Sequence, residues 1–281
     1  MTPELGSSIE VRRLRFELPE RLDPNTIADE LGASRMFVGL SLAVAYLEPY
    51  LVRTMQSAKP HVTDAALCQA ITLFNGQEGQ HFRQHMSFNE AIRRHGHDEA
   101  LHELERELER DYRSFSETRS LRFNLAYAEG FEALTTAVSR FAFQIRLDER
   151  LHPEIRDLFR WHAVEELEHR VVAFDVYEHV QAGYLYRLGV GLFAQWHLLR
   201  FVHRAMGILA QTQPALAKPV EPSTAARPSL LWLAILHLLP KVLATYMPWY
   251  TPHAIDMPDV ASTFAQQYSE LARVTAMQRS V

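Results

Sequence analysis

The sequence contains a single cysteine, Cys68, among its 281 residues. One thiol excludes a disulfide framework, a cysteine-rich zinc site and an iron–sulfur site, and it is typical of a protein from a reducing compartment. The first residues also lack the apolar stretch of a secretory signal. We therefore predict a cytoplasmic protein.

Positive charge and long apolar runs are also scarce. The 29 Lys and Arg residues are outnumbered by 34 Asp and Glu residues, giving a net charge of −5. A mildly acidic chain without a basic block is not suited to nucleic-acid binding. No run of about 18 apolar residues is uninterrupted, so the sequence does not predict a membrane-spanning segment. The closest approach, residues 228–255, is interrupted by Pro240 and Pro248.

Glycine is infrequent, at 11 residues, and strand signals are nearly absent. Segments with a 3.6-residue apolar period dominate instead, so we predict an all-α protein: a ferritin-like bundle of four long helices with additional C-terminal helices. The predicted helices cover residues 34–55, with a bend or a new helix at Pro49, and residues 62–94, 99–114, 118–147, 153–180, 184–211, 230–247 and a last segment after Pro258.

The helices suggest three regions of one compact domain. Residues 1–33 form a lead-in, and residues 34–183 form a metal-binding bundle. Residues 184–281 form apolar C-terminal helices that pack on the bundle. Residues 212–229 contain four prolines and are predicted to form a long loop within that last region.

The common nucleotide-binding and nucleophile motifs are missing too, since the sequence has no GxGxxG, P-loop or GxSxG pattern. Two other segments stand out, QEGQHFRQH at residues 77–85 and WHAVEELEH at residues 161–169. At 100° per residue, each segment directs one carboxylate and two imidazoles to one helix face, within about 60° of each other. These residues are Glu78, His81 and His85 in the first segment and His162, Glu166 and His169 in the second.

Each segment contains Glu-x-x-His, a pair that di-metal bundle proteins use together with one Glu from each of two other helices. The first helix offers Glu48, its only acidic residue, within an apolar run. Another helix offers Glu129 and Glu132. The separation of 34 residues between Glu132 and Glu166 matches the 30 between Glu48 and Glu78 better than the 37 given by Glu129, so the spacing favours Glu132.

Other interpretations of single residues stay open. His85 and His162 could be hydrogen-bonded core histidines, and Glu165 and Glu168 could face outward or support ligands from behind. Asp175 is a candidate to orient a ligating imidazole, or it could face solvent. A set of four buried carboxylates without a cation would nevertheless be costly, which favours the metal hypothesis over a purely structural one.

At these residues the sequence resembles a bacterial family catalogued as predicted metal-dependent hydrolases. The similar strings are VRRLRFELPERLDP, QEGQHFRQH, FEALTTA and WHAVEELEHRVVAFDVY, within residues 10–200 or so. The chain departs from the family pattern at Leu47, where Gly is usual, and at Ala133, where His is usual. The spacing His162-x3-Glu166-x2-His169 is also similar to ferritin-like di-iron N-oxygenases, and that resemblance implies that His162 is an additional ligand.

We therefore expect two metal ions, iron first and manganese second, because carboxylates and imidazoles without thiolates suit these metals. The expected ligands are Glu48, Glu78, His81, Glu132, His162, Glu166 and His169, with His85, Glu129 and Asp175 as further metal or supporting residues. The expected function is an O2-dependent oxidase or oxygenase on a small organic substrate, with an electron donor that the sequence does not identify. Alternatives are a metal-dependent hydrolase and a non-catalytic metal-binding protein.

The apolar residues 230–255 contain two tryptophans and one charge, that of Lys241. A soluble monomer rarely exposes so much apolar surface. The first expectation is that this region packs on the bundle and covers the substrate pocket, the second is a homodimer interface, and the third is peripheral membrane contact, which the missing basic face disfavours.

Overall fold

A computed structural model describes residues 9–27, 30–96, 98–212 and 228–279 of the chain. Almost all of these residues lie in helices, and the only extended pairing among them is an isolated bridge between Ile27 and Leu151. The all-α prediction is confirmed. Most of the predicted loop at residues 212–229, together with residues 1–8 of the lead-in, lies outside the described residues.

The helices are numbered in chain order. They are α1 (Leu31–Ala58), α2 (Ala65–Arg93), α3 (Asp98–Thr118), α4 (Leu121–Gln144), α5 (Pro153–His169), α6 (Val172–Val180), α7 (Tyr184–Thr212), α8 (Leu230–Thr245) and α9 (Asp259–Arg279). Helix α8 contains a π-helical turn at Ala234–Leu238.

The start of α2 illustrates how local sequence sets a helix boundary. The Asp64 carboxylate accepts hydrogen bonds from the backbone amides of Ala66 and Leu67 at 2.7 and 3.0 Å, which satisfies two amides that have no partner within the helix. Helix α5 begins at Pro153, whose fixed φ and missing N–H suit the first helical position. The helices that carry the two Glu-x-x-His motifs therefore have starts that their sequences define.

Helix α1 packs against α2, α3 and α7, and α4 packs against α5, α6 and α7. The approach of α4 to α7 is close because two glycines meet there: a Cβ added to Gly130 would overlap the backbone of Gly191. The segment Leu31–His61 is long and apolar enough to cross a membrane, but 56% of its most apolar window is buried within the protein, as in a core helix.

Two predicted helix boundaries are wrong. Helix α1 continues through Pro49, so the alternative of a new helix there is wrong; packing on three other helices offsets the single hydrogen bond that proline removes. The helix predicted over residues 153–180 is two helices, α5 and α6. Between them the guanidinium of Arg170 donates to the carbonyls of Leu167 and Ile255, the latter at 2.9 Å, so contacts with a distant segment hold the break.

Candidate metal centre

Four helices bring the predicted ligands into the interior of the protein. Helix α1 supplies Glu48, α4 supplies Glu132, and α2 and α5 supply the two motif sets. The side chains of Glu48, Glu78, His81, His85, Glu132, Glu166 and His169 are buried, and that of His162 is 13% exposed. Ligands from four separate helices thus meet in one buried volume.

Four groups of these residues have ligand atoms within 4.8 Å of one another. They are Glu48 with His85 and His162, His81 with His162 and Glu166, Glu48 with Glu78 and His81, and Glu78 with Glu132 and His169. Because the groups share members, they form one continuous cluster rather than four separate sites.

Glu78 and Glu166 lie between the two motif imidazoles. The Nε2 atom of His169 is 3.3 Å from Glu78 Oε1 and 3.6 Å from Glu166 Oε1. The Nδ1 atom of His81 is 3.9 Å from Glu78 Oε2 and 3.7 Å from Glu166 Oε1. Both carboxylates therefore lie within 4 Å of both motif imidazoles, while Glu132, 3.2 Å from His169 Nε2, lies at one end of the cluster.

Most atoms that face the centre of the cluster make no hydrogen bond of good geometry with any described residue, although His169 Nε2 lies 3.2 Å from a Glu132 oxygen. These atoms are both carboxylate oxygens of Glu48, Glu78 and Glu132, Oε2 of Glu166, Nδ1 of His81 and Nε2 of His169. Buried polar atoms are almost always paired in folded proteins, so nine unpaired oxygen and nitrogen atoms in one place require a missing partner. Carboxylate and imidazole atoms together are a donor set that fits divalent transition metals such as iron, manganese and zinc.

The electrostatics also fit a cation. Burial raises the pKa of Glu48 and of Glu78 well above the usual range, and the neighbouring carboxylates raise both further. Burial likewise raises the pKa of Glu132 to about 7. Burial would raise the pKa of Glu166 too, but His169 and His162 outweigh it and hold that pKa well below its usual range. Removing these carboxylates from water is costly, and the charged imidazole of His169 cannot offset that cost for all of them.

Each motif imidazole contacts a polar group through the ring nitrogen that is remote from the cluster, and this contact orients the ring. His81 Nε2 is 3.1 Å from Glu165 Oε2, and burial lowers the pKa of His81 well below its usual value. A neutral His81 that donates from Nε2 to Glu165 leaves the lone pair of Nδ1 directed at the cluster. His169 Nδ1 donates to Gln77 Oε1 at 3.0 Å, which directs its Nε2 at the cluster. Burial would lower the pKa of His169, but Glu166 and Glu132 outweigh it and raise that pKa well above its usual value.

These supporting groups are themselves connected through Arg12. The guanidinium of Arg12 donates to Glu168 at 2.6 and 2.8 Å and to Glu165 at 3.2 Å. The amide of Gln77 also donates to Glu168, at 2.8 Å. Arg12 Nε donates to Ser269 in α9 at 3.0 Å, so the network joins the lead-in to the last helix.

The sequence did not single out Arg12 or Gln77. Gln77 directly precedes the first motif glutamate, and Arg12 lies in the VRRLRF string, but neither position indicates which polar group it contacts. For Glu165 and Glu168, the structure favours the supporting alternative over the outward-facing one, because both are buried and hydrogen-bonded to Arg12.

His85 and His162 lie together at the more open side of the cluster. His85 Nε2 is 2.6 Å from His162 Nδ1 and 3.7 Å from Glu48 Oε1, while Ser41 contacts His85 Nδ1 at 2.7 Å. His162 Nε2 is 3.0 Å from Glu166 Oε1. The structure therefore places both imidazoles beside carboxylates, with His162 the closer of the two, and both remain candidate ligands.

Two further predicted residues have other partners. Glu129 accepts a hydrogen bond from Arg187 at 2.7 Å, and Asp175 lies 2.7 Å from His253 Nε2. Among the described residues, neither belongs to a potential metal-binding group. Glu132 rather than Glu129 is therefore the α4 residue that faces the cluster.

Aromatic rings pack around the imidazoles. Trp161 meets His81 edge-on with ring centroids 5.0 Å apart, and Phe74 meets His169 at 4.7 Å. Phe159 contacts His85 at 5.5 Å. These apolar walls keep bulk water away from the ligands and lower the local dielectric constant, which strengthens any charge interaction inside.

Comparison with known proteins supports a metal site. A family described as "predicted metal-dependent hydrolase" matches residues 10–256, which include every predicted ligand. No curated protein and no solved structure matches the chain. The chain belongs to the family of predicted metal-dependent hydrolases.

Proposed function

We propose that this protein is a dinuclear metal-dependent enzyme that hydrolyses a small organic substrate. One observation carries the proposal: unpaired carboxylate and imidazole atoms from four helices converge in a single buried cluster. The family description adds that the chain's relatives are grouped as metal-dependent hydrolases.

In this proposal Glu78 and Glu166 would be shared between two ions. Glu132 and His169 would hold one ion, and Glu48 and His81, with His162 as the additional ligand, would hold the other. This assignment follows the distances of the cluster, in which Glu78 and Glu166 are the residues near both motif imidazoles.

When bound, two divalent ions supply an activated water and polarise an ester, amide or phosphate oxygen. The residues of the chain supply the rest. Glu165 and Gln77 fix the ring orientations of His81 and His169, which raises their basicity as ligands. His162, the most exposed member of the cluster, marks the side from which a substrate reaches it.

A second candidate function is O2-dependent oxidation of an organic substrate, with two iron ions and an external electron donor. The observation in its favour is the donor set, since Glu-x-x-His on each of two helices with one Glu from each of two more is the ligand pattern of di-iron carboxylate bundles. Hydrolysis needs no electron donor, and this difference separates the two functions experimentally.

The test begins with metal analysis of the purified protein, for which we expect two ions per chain. Protein loaded with zinc, manganese or ferrous iron is then assayed on ester, amide and phosphomonoester panels, and the ferrous protein is also exposed to O2 with and without a reductant. Hydrolysis that EDTA abolishes and zinc or manganese restores supports the proposal. Rapid O2 consumption by the ferrous protein, with no hydrolysis, would replace it with the oxidase function.

Matched variants tie the result to the cluster. Glu78→Gln removes a bridging carboxylate and should lower both metal content and activity, whereas Glu178→Gln changes an exposed carboxylate and should leave both unchanged. Full activity in Glu78→Gln, or a stoichiometric ion in protein that lacks activity on every panel and with O2, would contradict an enzymatic role for this centre.

A further inference from the structure

Helix α7 exposes large apolar side chains along one stripe. Leu185 is 78% exposed, Leu192 45%, Trp196 57% and Leu199 53%. Together with Gly189 these residues are spaced by three or four positions, so they line one side of the helix in the pattern of a helix–helix contact. The opposite side of α7 is buried against the chain's own α1 and α4.

Helix α8 adds a second exposed apolar surface. Its residues Leu231, Trp232, Leu236, Leu239 and Leu243 are between 48% and 66% exposed. The end of α8 lies against α7, because the Tyr184 hydroxyl donates to the Tyr246 carbonyl at 2.7 Å and the Tyr246 hydroxyl donates to Gln195. A groove of about 530 Å³ lies there, lined by Leu192, Trp196, Leu199 and Tyr246 and, at its edge, by Arg200, His203 and Arg204.

The exposed area is large enough for a stable interface. The exposed fractions add up to about five whole side chains, and at roughly 120 Å² for each fully exposed large apolar side chain they amount to about 600 Å² of apolar surface. Single soluble chains rarely expose contiguous apolar patches above a few hundred Å². A standard interface buries about 800 Å² per partner, so this surface is of the size that one partner contributes.

The charges beside this surface help to decide whether it binds a second copy of the chain or a lipid membrane. The arginines beside the groove already have partners, since Arg204 donates to Glu107 at 2.7 Å and Arg200 lies 3.4 Å from Asp111. Lys241 of α8 is turned inward, toward Gln144 and the carbonyl of His237. The two exposed arginines of α7 are therefore engaged by carboxylates of α3 and Lys241 by polar groups of its own chain, whereas a membrane-binding helix usually offers a basic polar face to anionic lipid headgroups.

From this geometry we propose that α7 and α8 form the interface of a homodimer of this chain. A second copy offers the same apolar surface, and because Arg200 and Arg204 at its edge are paired with Asp111 and Glu107, a two-fold axis places the two copies together without burying an unpaired arginine. Gly189, which has open space where a side chain would be, provides a depression in the stripe for a large side chain of the partner. This inference is independent of the reaction that the metal centre performs.

The test is the oligomeric state of the full chain, measured by sedimentation equilibrium over a range of concentrations. We expect a dimer for the unmodified chain. Because a two-fold dimer contains each position twice, Leu192→Lys and Trp196→Lys each place two lysines in the interface. We therefore expect the dissociation constant of the dimer to rise at least about 100-fold, equivalent to about 3 kcal/mol. Both positions are exposed in the single chain, so each variant should keep its helical circular dichroism.

Leu271→Lys in α9 is the matched control, because Leu271 is 48% exposed but lies outside both surfaces. It should remain a dimer. A monomeric unmodified chain at every concentration, or dimers that persist in Leu192→Lys and Trp196→Lys, would overturn the proposal. Flotation of a monomeric chain with phosphatidylserine vesicles, lost in Trp196→Lys, would assign the surface to a membrane instead.

Discussion

Substituting Glu48 by glutamine should stabilise the metal-free protein and weaken its response to metal. Glu48 is buried, neither of its oxygens has a hydrogen-bond partner, and an oxygen of Glu78 lies within 4.8 Å of it. Its nearest imidazole, His85, is 3.7 Å away and is kept neutral by burial and by His162, which lower its pKa well below the usual value. Burial and the neighbouring carboxylates raise the pKa of Glu48 well above its usual range in spite of His169, so the metal-free fold must either protonate this carboxyl or bury its charge, and both are costly.

The size of the effect follows from the raised pKa of Glu48. Each unit by which folding raises the pKa of a carboxyl lowers stability by about 1.4 kcal/mol at a pH above both pKa values, and the full cost is about 3–4 kcal/mol for a carboxyl that stays protonated at pH 7. Glutamine keeps the shape and does not titrate but leaves a buried amide, so we expect a net gain of about 2 kcal/mol in the unfolding free energy of the metal-free protein. At about 2–4 °C per kcal/mol for a domain of this size, the midpoint of thermal unfolding should rise by about 5 °C.

The assay is urea unfolding in EDTA and again with excess manganese or zinc. Metal at 1,000 times its dissociation constant should stabilise the unmodified protein by about 4 kcal/mol, and Glu48→Gln by clearly less, since it has lost a ligand. Glu129→Gln is the control on another helix. It leaves the buried Arg187 without its partner, so it should destabilise by about 3–5 kcal/mol with or without metal. If Glu48→Gln destabilises the protein in EDTA, the carboxylate serves the fold and the reasoning fails.

Three further predictions concern residues around the same cluster. His162→Ala should lower metal content more than His85→Ala, measured by metal analysis, and equal losses would indicate an eight-ligand centre. Glu165→Gln should weaken metal binding by about 10–100-fold in a chelator competition by loosening a ligand's orientation, and an unchanged affinity would limit Glu165 to a structural role. Thr136, one turn after Glu132, has a buried hydroxyl without a partner. Thr136→Val should therefore match or exceed the unmodified chain in metal-free stability by urea unfolding, and a loss above 1 kcal/mol would reveal an internal partner.

The sequence predicted those parts of the centre that depend on local periodicity. A solitary Glu48 in an apolar helix and the two Glu-x-x-His pairs identify residues that a 3.6-residue helix must direct to one side. The structure places these residues together, and the choice of Glu132 over Glu129 by spacing agrees with the partner that each has.

The features that the sequence did not predict depend on contacts between segments that are far apart in the chain. Nothing local separates Arg12 from its neighbouring arginines, because its role is set by where the lead-in passes behind α5. The break after His169 similarly depends on Arg170 reaching the carbonyl of Ile255. The exposure of α8 was not predictable either, because the sequence of an apolar helix does not show whether another part of the protein covers its outer face.

The contact between Arg12 and Ser269 has a consequence for biosynthesis. These residues are 257 positions apart, which at 5–20 residues per second corresponds to about 13–50 s of translation. Helices α1 to α5 can leave the ribosome and associate well before α9 exists to complete the network that holds Arg12. A nascent chain would therefore meet cellular metal with its imidazoles still loosely oriented. We therefore expect the complete chain, after its release, to select the correct ion. A ribosome-bound intermediate should exchange its metal far more readily than the complete chain does.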